Sequence, residues 1–449
     1  MNEDSGLPAA SVATESETGR TIHFPSTFRA LRHRNYRLWF IGQSTSLVGT
    51  WMQVVAQQVL IYRLTGSAAA LGMISFIGLI PLIPFTLWGG SISDRFPRRT
   101  ILLITQASML IQAFVMAFLT WSGKIQVWQV YLLSLLLSIA VAVDLPSRQA
   151  FTYDMVEGKA DLTNALGLNS AMFNAARTIG PALAGLLVAT TGEAMAFFLN
   201  GLSFVAVIIS LSLMRNLPRP QPGAESGGSM IQHMTEGVRF VVRQPVILAL
   251  VSLVGVSAFL SMPYNTLLPV FAAVVLKPSS QPVVNLLCGG ESPLMRCQSP
   301  EALPLGMLYA LVGIGAVIGA LFVASLKDQA PRGLLLTAGN LAFPALLLCF
   351  AASSSFLLSL LLMFLIGFSF VWQNALANTL LMLISPDALR GRVMSVYTLT
   401  FQSMMHLGGL QAGLMADWIG ASLAVGLGAL VSLLYGLFIA LRFPQIRKL

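Results

Sequence analysis

Long apolar runs broken by short polar turns make up most of the chain. A helix that crosses a bilayer needs roughly 20 mostly apolar residues. Twelve stretches meet that length: 36–62, 69–92, 100–121, 127–147, 165–190, 193–214, 245–275, 304–326, 333–351, 355–380, 393–416 and 419–441. Strands of a membrane barrel would instead alternate over about ten residues. The pattern predicts an all-α membrane protein. The pairs 165–190/193–214 and 393–416/419–441 have such short turns that each can be mistaken for one long helix.

The polar remainder sets the organisation. Residues 1–27 carry Glu3, Asp4, Glu15 and Glu17 and no apolar core of a signal peptide, so they read as a disordered cytoplasmic tail. Residues 216–244, with Pro218, Pro220, Pro222 and Gly227-Gly228, read as a cytoplasmic linker that divides the spans six and six. The expected units are therefore a bundle over 28–215, the linker, a second bundle over 245–442 with an outer loop at 276–303, and a short tail at 443–449. In the outer loop, Cys288 and Cys297 are spaced so that a disulfide could close a small ring on an oxidising face. Whether they pair stays open at this point. Cys349, in an apolar span, is expected to pack.

Charge supports this threading. With the N-terminus inside, 21 of the 26 Lys and Arg residues fall on the cytoplasmic side and 4 outside, with Arg177 alone inside a span. That is the positive-inside distribution of a multi-pass protein of the plasma (inner) membrane with both termini cytoplasmic. Composition agrees: 56% of the 449 residues are hydrophobic and 10% charged, against about 25% charged in a soluble domain. Mean hydropathy is +0.77. These values exclude a large soluble enzyme and a disordered chain, and three Cys exclude a disulfide scaffold. The net charge of +9 is explained by the lipid bilayer as partner, without nucleic acid.

The halves repeat. Phe173, Gly180, Gly185, Leu186 and Gly192 recur at a common offset of 228 residues as Phe401, Gly408, Gly413, Leu414 and Gly420. A second match, at 234, relates Asp94, Pro97 and Arg98 to Asp328, Pro331 and Arg332. Two similar halves can rock about a midplane site and open alternately to each side, which suggests transport.

Three motifs carry a family resemblance. Gly90-Ser91-Ile92-Ser93-Asp94-Arg95-Phe96-Pro97-Arg98-Arg99 resembles motif A of the major facilitator superfamily, with Pro97 in place of Gly. Gly167, Ala176, Gly180, Pro181, Ala184 and Gly185 resemble its motif C, with Ala at two Gly positions. Asn35-Tyr36-Arg37-Leu38-Trp39, Gly49-Thr50-Trp51-Met52-Gln53, Pro146-Ser147-Arg148-Gln149, Asn164-Ala165 and Arg390-Gly391-Arg392 look like the branch that includes enterobactin and macrolide exporters. The resemblance runs from about 28 to 442. It implies twelve helices in two pseudo-symmetric six-helix bundles, and a latch in which Asp94, Arg95, Arg98 and Arg99, with Gly90 allowing close approach, hold one end shut. Asp328 and Arg332 are the repeat counterparts, and Gly180, Pro181 and Gly185 seal the pathway. Motif C marks exporters and drug/proton antiporters. One departure stands: 127–143 holds no charge, so the intramembrane Arg that many proton antiporters carry in span four is missing.

Polar residues inside spans should face a cavity or a partner. Gln43, Ser46, Thr50, Gln53 and Gln57 lie on one helix face and are expected on the substrate path, the alternative being hydrogen bonds between packed helices. Ser170 and Asn174 map by the 228 offset onto Thr398 and Gln402, and Gln373 adds a polar group in span ten; these also count as path residues. The coupling candidates are four. Asp144 precedes Arg148 by one helical turn and is either a protonation switch or a static ion pair. Arg177 is costly at mid-span, about 2.5–3.5 kcal/mol, and needs an acidic partner, a helix end, water or an anionic substrate group. His406, with an intrinsic pKa near 6.5, either carries a proton or packs. No nucleotide loop or metal-ligand spacing is visible, so no cofactor and no metal is expected.

The expected function is a secondary active exporter of small amphipathic molecules, of drug or siderophore type, working by alternating access as a monomer with protons as the coupling ion. The alternatives are an importer or facilitator of the same fold, and a lipid-handling or sensory membrane protein.

Overall fold

The computed structural model describes residues 26–156, 158–217, 230–289, 296–326 and 330–448, with some side chains, including those of 86–95, outside the description. Every described element is a helix. In the first half of the chain these are α1 (Arg34–Thr65), α2 (Ala68–Arg95), α3 (Arg98–Trp121), α4 (Val127–Met155), α5 (Lys159–Thr191) and α6 (Glu193–Leu213). A shorter α7 (Met230–Arg243) follows. The second half holds α8 (Pro245–Val275, with π-turns at Ser257–Ser261 and Phe271–Val275), α9 (Lys277–Cys288), α10 (Ala302–Ala324), α11 (Arg332–Ala352), α12 (Phe356–Ile384), α13 (Asp387–Ile419) and α14 (Ala421–Arg442).

Among the described residues nine of these helices are long and apolar enough to cross a membrane. The long helices follow the hydropathy spans closely. They overrun them at one end: α5 and α13 each have 33 residues, about 50 Å at 1.5 Å per residue, against a hydrocarbon core of about 30 Å. Apolar windows stop where charge begins, whereas a helix continues into the polar interface as long as its backbone can hydrogen-bond internally. Two elements differ from expectation. The linker holds the amphipathic α7, whose apolar positions are too few for a span. The loop after α8 begins with α9, whose Cys288 is disulfide-bonded to Cys297. Cys349 is exposed on α11 rather than packed, and large apolar side chains elsewhere, Leu357 and Trp418 among them, are exposed as well, which suits lipid as solvent.

We call the end of the molecule with this disulfide the disulfide end and the opposite one, with α7, the linker end. Within the first half α1 packs on α5 and α6, α2 on α4, and α3 on α4 and α6; within the second, α12 packs on α10 and α11, and α11 on α14. Two large crossings join the halves, α5 with α10 and α2 with α13, and α8 adds smaller contacts with α1 and α2. The 228 offset relates the bounds of α5 to those of α13, and both stop at a left-handed glycine, Gly192 (φ 81°) and Gly420 (φ 87°). An L side chain is strained there, so these two glycines fix the tight turns into α6 and α14.

Lipid offers apolar groups little reason to leave it, so close packing holds the helices. On α10, a Cβ at Gly319 would come within 2.6 Å of the Phe368 carbonyl oxygen on α12, and one at Gly315 would collide with the Phe364 carbonyl. Gly315→Val is therefore expected to lower stability by about 1–3 kcal/mol, read as a fall in Tm in detergent, while Gly391→Val, which meets open space, should leave Tm unchanged.

Candidate functional site

In the polar stripe of α1, Gln43, Ser46, Gln53 and Gln57 are buried, and two of them make the hydrogen bonds between packed helices that were the alternative to a path. Asn200 of α6 donates to Gln53 Oε1 at 2.7 Å, and Gln53 Nε2 donates to Gln112 of α3 at 3.1 Å. Gln57 donates to Ser134 of α4. Thr50, half-buried, bonds back to the Ser46 carbonyl. Gln373 is likewise internal to the second half, donating to Asn340 of α11 at 2.9 Å and accepting from Ser257 of α8 at 3.5 Å. A buried amide needs fixed partners, and neighbouring helices supply them to Gln53, Gln57 and Gln373, whereas Gln43 Oε1 has no partner among the described residues. Gln58 of α1 reaches the other half, its Oε1 accepting from Tyr309 of α10 at 2.8 Å. It lies one position past the stripe, so helical periodicity alone passes over it.

The halves meet from the helix middles to the disulfide end. On the α5–α10 crossing Gly185 stacks on Gly306, and Thr178 donates to the Gly313 carbonyl at 3.2 Å. On the α13–α2 crossing Gly413 sits on Gly72, and the His406 ring faces Gly78. Thr178 and His406 are repeat partners, as are Gly185 and Gly413. Gly72 and Gly306 obey the 234 offset, a signal present in the sequence but not singled out there. Gly180 packs on α1, where a Cβ would lie 2.6 Å from that of Trp51; Pro181 follows it within α5.

At the disulfide end the seam is closed by a polar latch. Asp417 of α13 accepts from the backbone N–H of Ala68 at 2.7 Å and of Ala69 at 3.2 Å, and from Ser67 Oγ at 2.5 Å. It caps the N-terminus of α2 from across the seam, where a carboxylate is favoured by unpaired N–H groups and the helix dipole. The repeat counterpart of Asp417 is Ala189, whose carbonyl accepts from Gln298 N at 2.8 Å and Ser299 N at 2.9 Å, just before α10. One carboxylate and one carbonyl therefore do equivalent work on the two crossings. A cavity of about 370 Å³ beside Asp417, lined also by Tyr62, Val270 and Ser422, gives water access to it.

At the linker end the surroundings of Gly90, the side chains of Asp94 and Arg95, and residue Asp328 lie outside the description. Arg98 pairs with Asp154 of α4 at 2.7 Å, and Arg99 donates to the Ser212 carbonyl of α6 at 2.9 Å. Both stay within the first half. Arg332 opens α11 after Pro331. The segment before α1 is clasped to α5: Arg29, Arg32 and His33 surround the buried Asp161, and Tyr36 donates to the Ala165 carbonyl at 2.9 Å. The sequence motif around Asn35 and Asn164 is thus a fastening, with Asn164 accepting from Ala30 N at 2.9 Å.

Of the coupling candidates, Asp144 and Arg148 form a buried ion pair, and Asp144 also accepts from Thr105 at 2.7 Å and Gln106 at 3.0 Å, both on α3. His406 lies on the α2 crossing with its Nδ1 unpartnered among the described residues. Arg177 lies over the Phe370 ring of α12, 5.6 Å from its centroid. Ser170 and Thr398 are exposed, Asn174 and Gln402 half-buried; Asn174 bonds to the Ser170 carbonyl at 2.9 Å.

Membrane-length helices, joined by two repeat-related crossings with polar and charged groups along the seam, define a multi-pass membrane transporter. The chain belongs to the transmembrane secretion effector family of the major facilitator superfamily, which it matches over residues 25–290 and 292–448. It is 24% identical over 407 residues to the enterobactin exporter EntS of Shigella boydii serotype 18 (strain CDC 3083-94 / BS512), covering 89% of this chain and 86% of that one. The enterobactin exporter EntS of Escherichia coli O81 (strain ED1a) matches with the same identity and coverage. Among solved structures, the nucleoside transporter NupG shares the fold with a TM-score of 0.68 at 12% identity, over 91% of this chain and 99% of that one. So does a D-xylose–proton symporter, with 0.66 at 15% identity, over 91% and 97%.

Two outcomes follow from this geometry. Gln53→Leu should lower stability by about 0.6–1.7 kcal/mol, the range of interhelical hydrogen bonds in membranes, read as Tm, without changing which compounds are moved. Asp417→Ala should loosen the disulfide end: a cysteine at Ser75, in a Cys349→Ala background, should react with an impermeant maleimide roughly two- to thirtyfold faster, equivalent to the about 0.5–2 kcal/mol of a helix cap.

Proposed function

We propose that the protein is a proton-coupled exporter of small amphipathic molecules, with twelve spans in two pseudo-symmetric six-helix bundles, 28–215 and 245–442, joined by the linker 216–244. The observation that carries this reading is the pair of repeat-related crossings, Gly185–Gly306 and Gly413–Gly72. They give two similar units a seam about which to rock. The excess of Lys and Arg at the linker end supports a cytoplasmic linker end, both termini inside, and an inner-membrane location. The disulfide end then faces outward. The closed latch there, with Arg98 and Arg99 held within the first half, supports an inward-facing state ready to load from the cytoplasm. In the outward-facing state Asp94, Arg95, Arg98 and Arg99 close the linker end, with Asp328 and Arg332 as their counterparts, while Gly180, Pro181 and Gly185 let α5 pivot. Ser170, Asn174, Thr398 and Gln402 line the path. Export of a siderophore-type substrate is supported by the likeness to the enterobactin exporters EntS. The protein works as a monomer, since each chain holds both units.

His406 and the Asp144–Arg148 pair are the proton-responsive groups. His406 sits where α2 and α13 must slide, and Asp144 holds α3 to α4. The test is efflux of a mixed compound panel from proteoliposomes with and without a pH gradient. Gradient-accelerated export is expected, and His406→Gln or the double change Asp144→Asn with Arg148→Gln should reduce it to the gradient-free rate. Movement indifferent to the gradient would assign a facilitator instead. No movement of any compound would favour the lipid-handling or sensory alternatives.

A further inference from the structure

Arg177 sits nearer the middle of its helix than Arg63, Arg98 and Arg148 do, and among the described residues it lacks the carboxylate that each of those three has. Arg148 pairs with Asp144, Arg98 with Asp154, and Arg63 with Glu193. Arg177 lies 14 residues before the end of α5, about 21 Å along the helix, and has no acidic partner among the described residues. Its neighbours are aromatic. The guanidinium lies over Phe370, and the buried Tyr264 of α8 joins the same aromatic group through Phe343, whose ring centroid is 6.3 Å from that of Tyr264 and 5.5 Å from that of Phe370. A ring face is a weak counter-charge compared with a carboxylate. Asp144, at comparable depth in α4, is already balanced by Arg148.

Position adds a second argument. Thr178, the next residue, bonds to Gly313 across the seam, so Arg177 sits at the inner edge of the closed region. Phe370 and Tyr264 belong to the second half and Arg177 to the first. An anion bound between them would touch both units. The repeat supplies a third argument: the 228 counterpart of Arg177 is Met405. The glycines, Thr178 and His406 keep a polar or packing role in both halves, whereas the charge occurs in one. An asymmetric ligand calls for a charge on one half only, and at this pair of positions the charge stands on one half only.

We propose that Arg177, Phe370 and Tyr264 form the anion subsite of the transport path, and that the protein's substrates are organic anions with an aromatic body. The guanidinium takes the carboxylate- or sulfonate-type group, and the rings take the planar part. This rests on the transport reading but is tested without transport. The full chain is placed in phosphatidylcholine nanodiscs, so that no anionic headgroup competes, and 2-naphthoate and 2-naphthamide are titrated by calorimetry. The naphthoate is expected to bind at least about tenfold more tightly than the amide, the scale of a charge-assisted hydrogen bond. Arg177→Gln should erase that preference with Tm kept, Arg177→Lys should keep part of it, and Phe370→Leu should weaken both ligands. Equal binding of the two ligands, no saturable binding of the naphthoate, or a preference that survives Arg177→Gln overturns the proposal. A purely structural arginine would lower Tm on substitution and leave the preference intact. Because no gradient is used, loss of gradient-driven efflux and loss of anion binding are separate results.

Discussion

Close backbone contact at glycine is the constraint on which the rest of this structure depends. Lipid competes equally for apolar surface, so helices associate through packing and through the polar bonds that packing permits. At Gly185–Gly306 and at Gly413–Gly72 there is no room for a side chain. These contacts bring α5 against α10 and α13 against α2. Only with the backbones that near can Thr178 reach the Gly313 carbonyl and Asp417 reach the first amides of α2.

Polar groups fall into two populations with different physics. One population is spent within a half: Gln53 with Gln112 and Asn200, Gln57 with Ser134, Gln373 with Asn340. Each amide has fixed partners, so these clusters keep a half rigid while the halves move. The other population sits on the seam: Gln58 with Tyr309, Asp417 with α2, His406 against Gly78, and Arg177 over Phe370. Their partners belong to the opposite half, so any relative motion must break and remake them. Stability belongs to the first set and conformational choice to the second.

The connections add restraint at the linker end. Arg392 of α13 is paired with Glu236 of α7, which ties the linker helix to the second half. Asp161, encircled by Arg29, Arg32 and His33, ties the chain before α1 to the first. Each half thus carries its own flanking segment. The disulfide between Cys288 and Cys297 restrains the segment that leads from α9 to the Ala189 contact.

The sequence by itself determined the helices, the repeat and the family. A run of apolar residues in lipid has no stable form other than a helix with its hydrogen bonds satisfied internally, so hydropathy located the long helices, though not their ends, which overrun by up to eight residues, and the 228 offset related α5 to α13. It also marked Asp144 with Arg148, because one helical turn is a local distance. Partners across helices were a different matter. Periodicity reports that Gln53 and Gln57 share a face, but not what lies opposite, and the tertiary structure put α3, α4 and α6 there. It likewise brought Asp417 to Ala68 and Arg177 to Phe370, residues separated by about 349 and 193 positions. No local rule joins such pairs; the crossing of whole helices does.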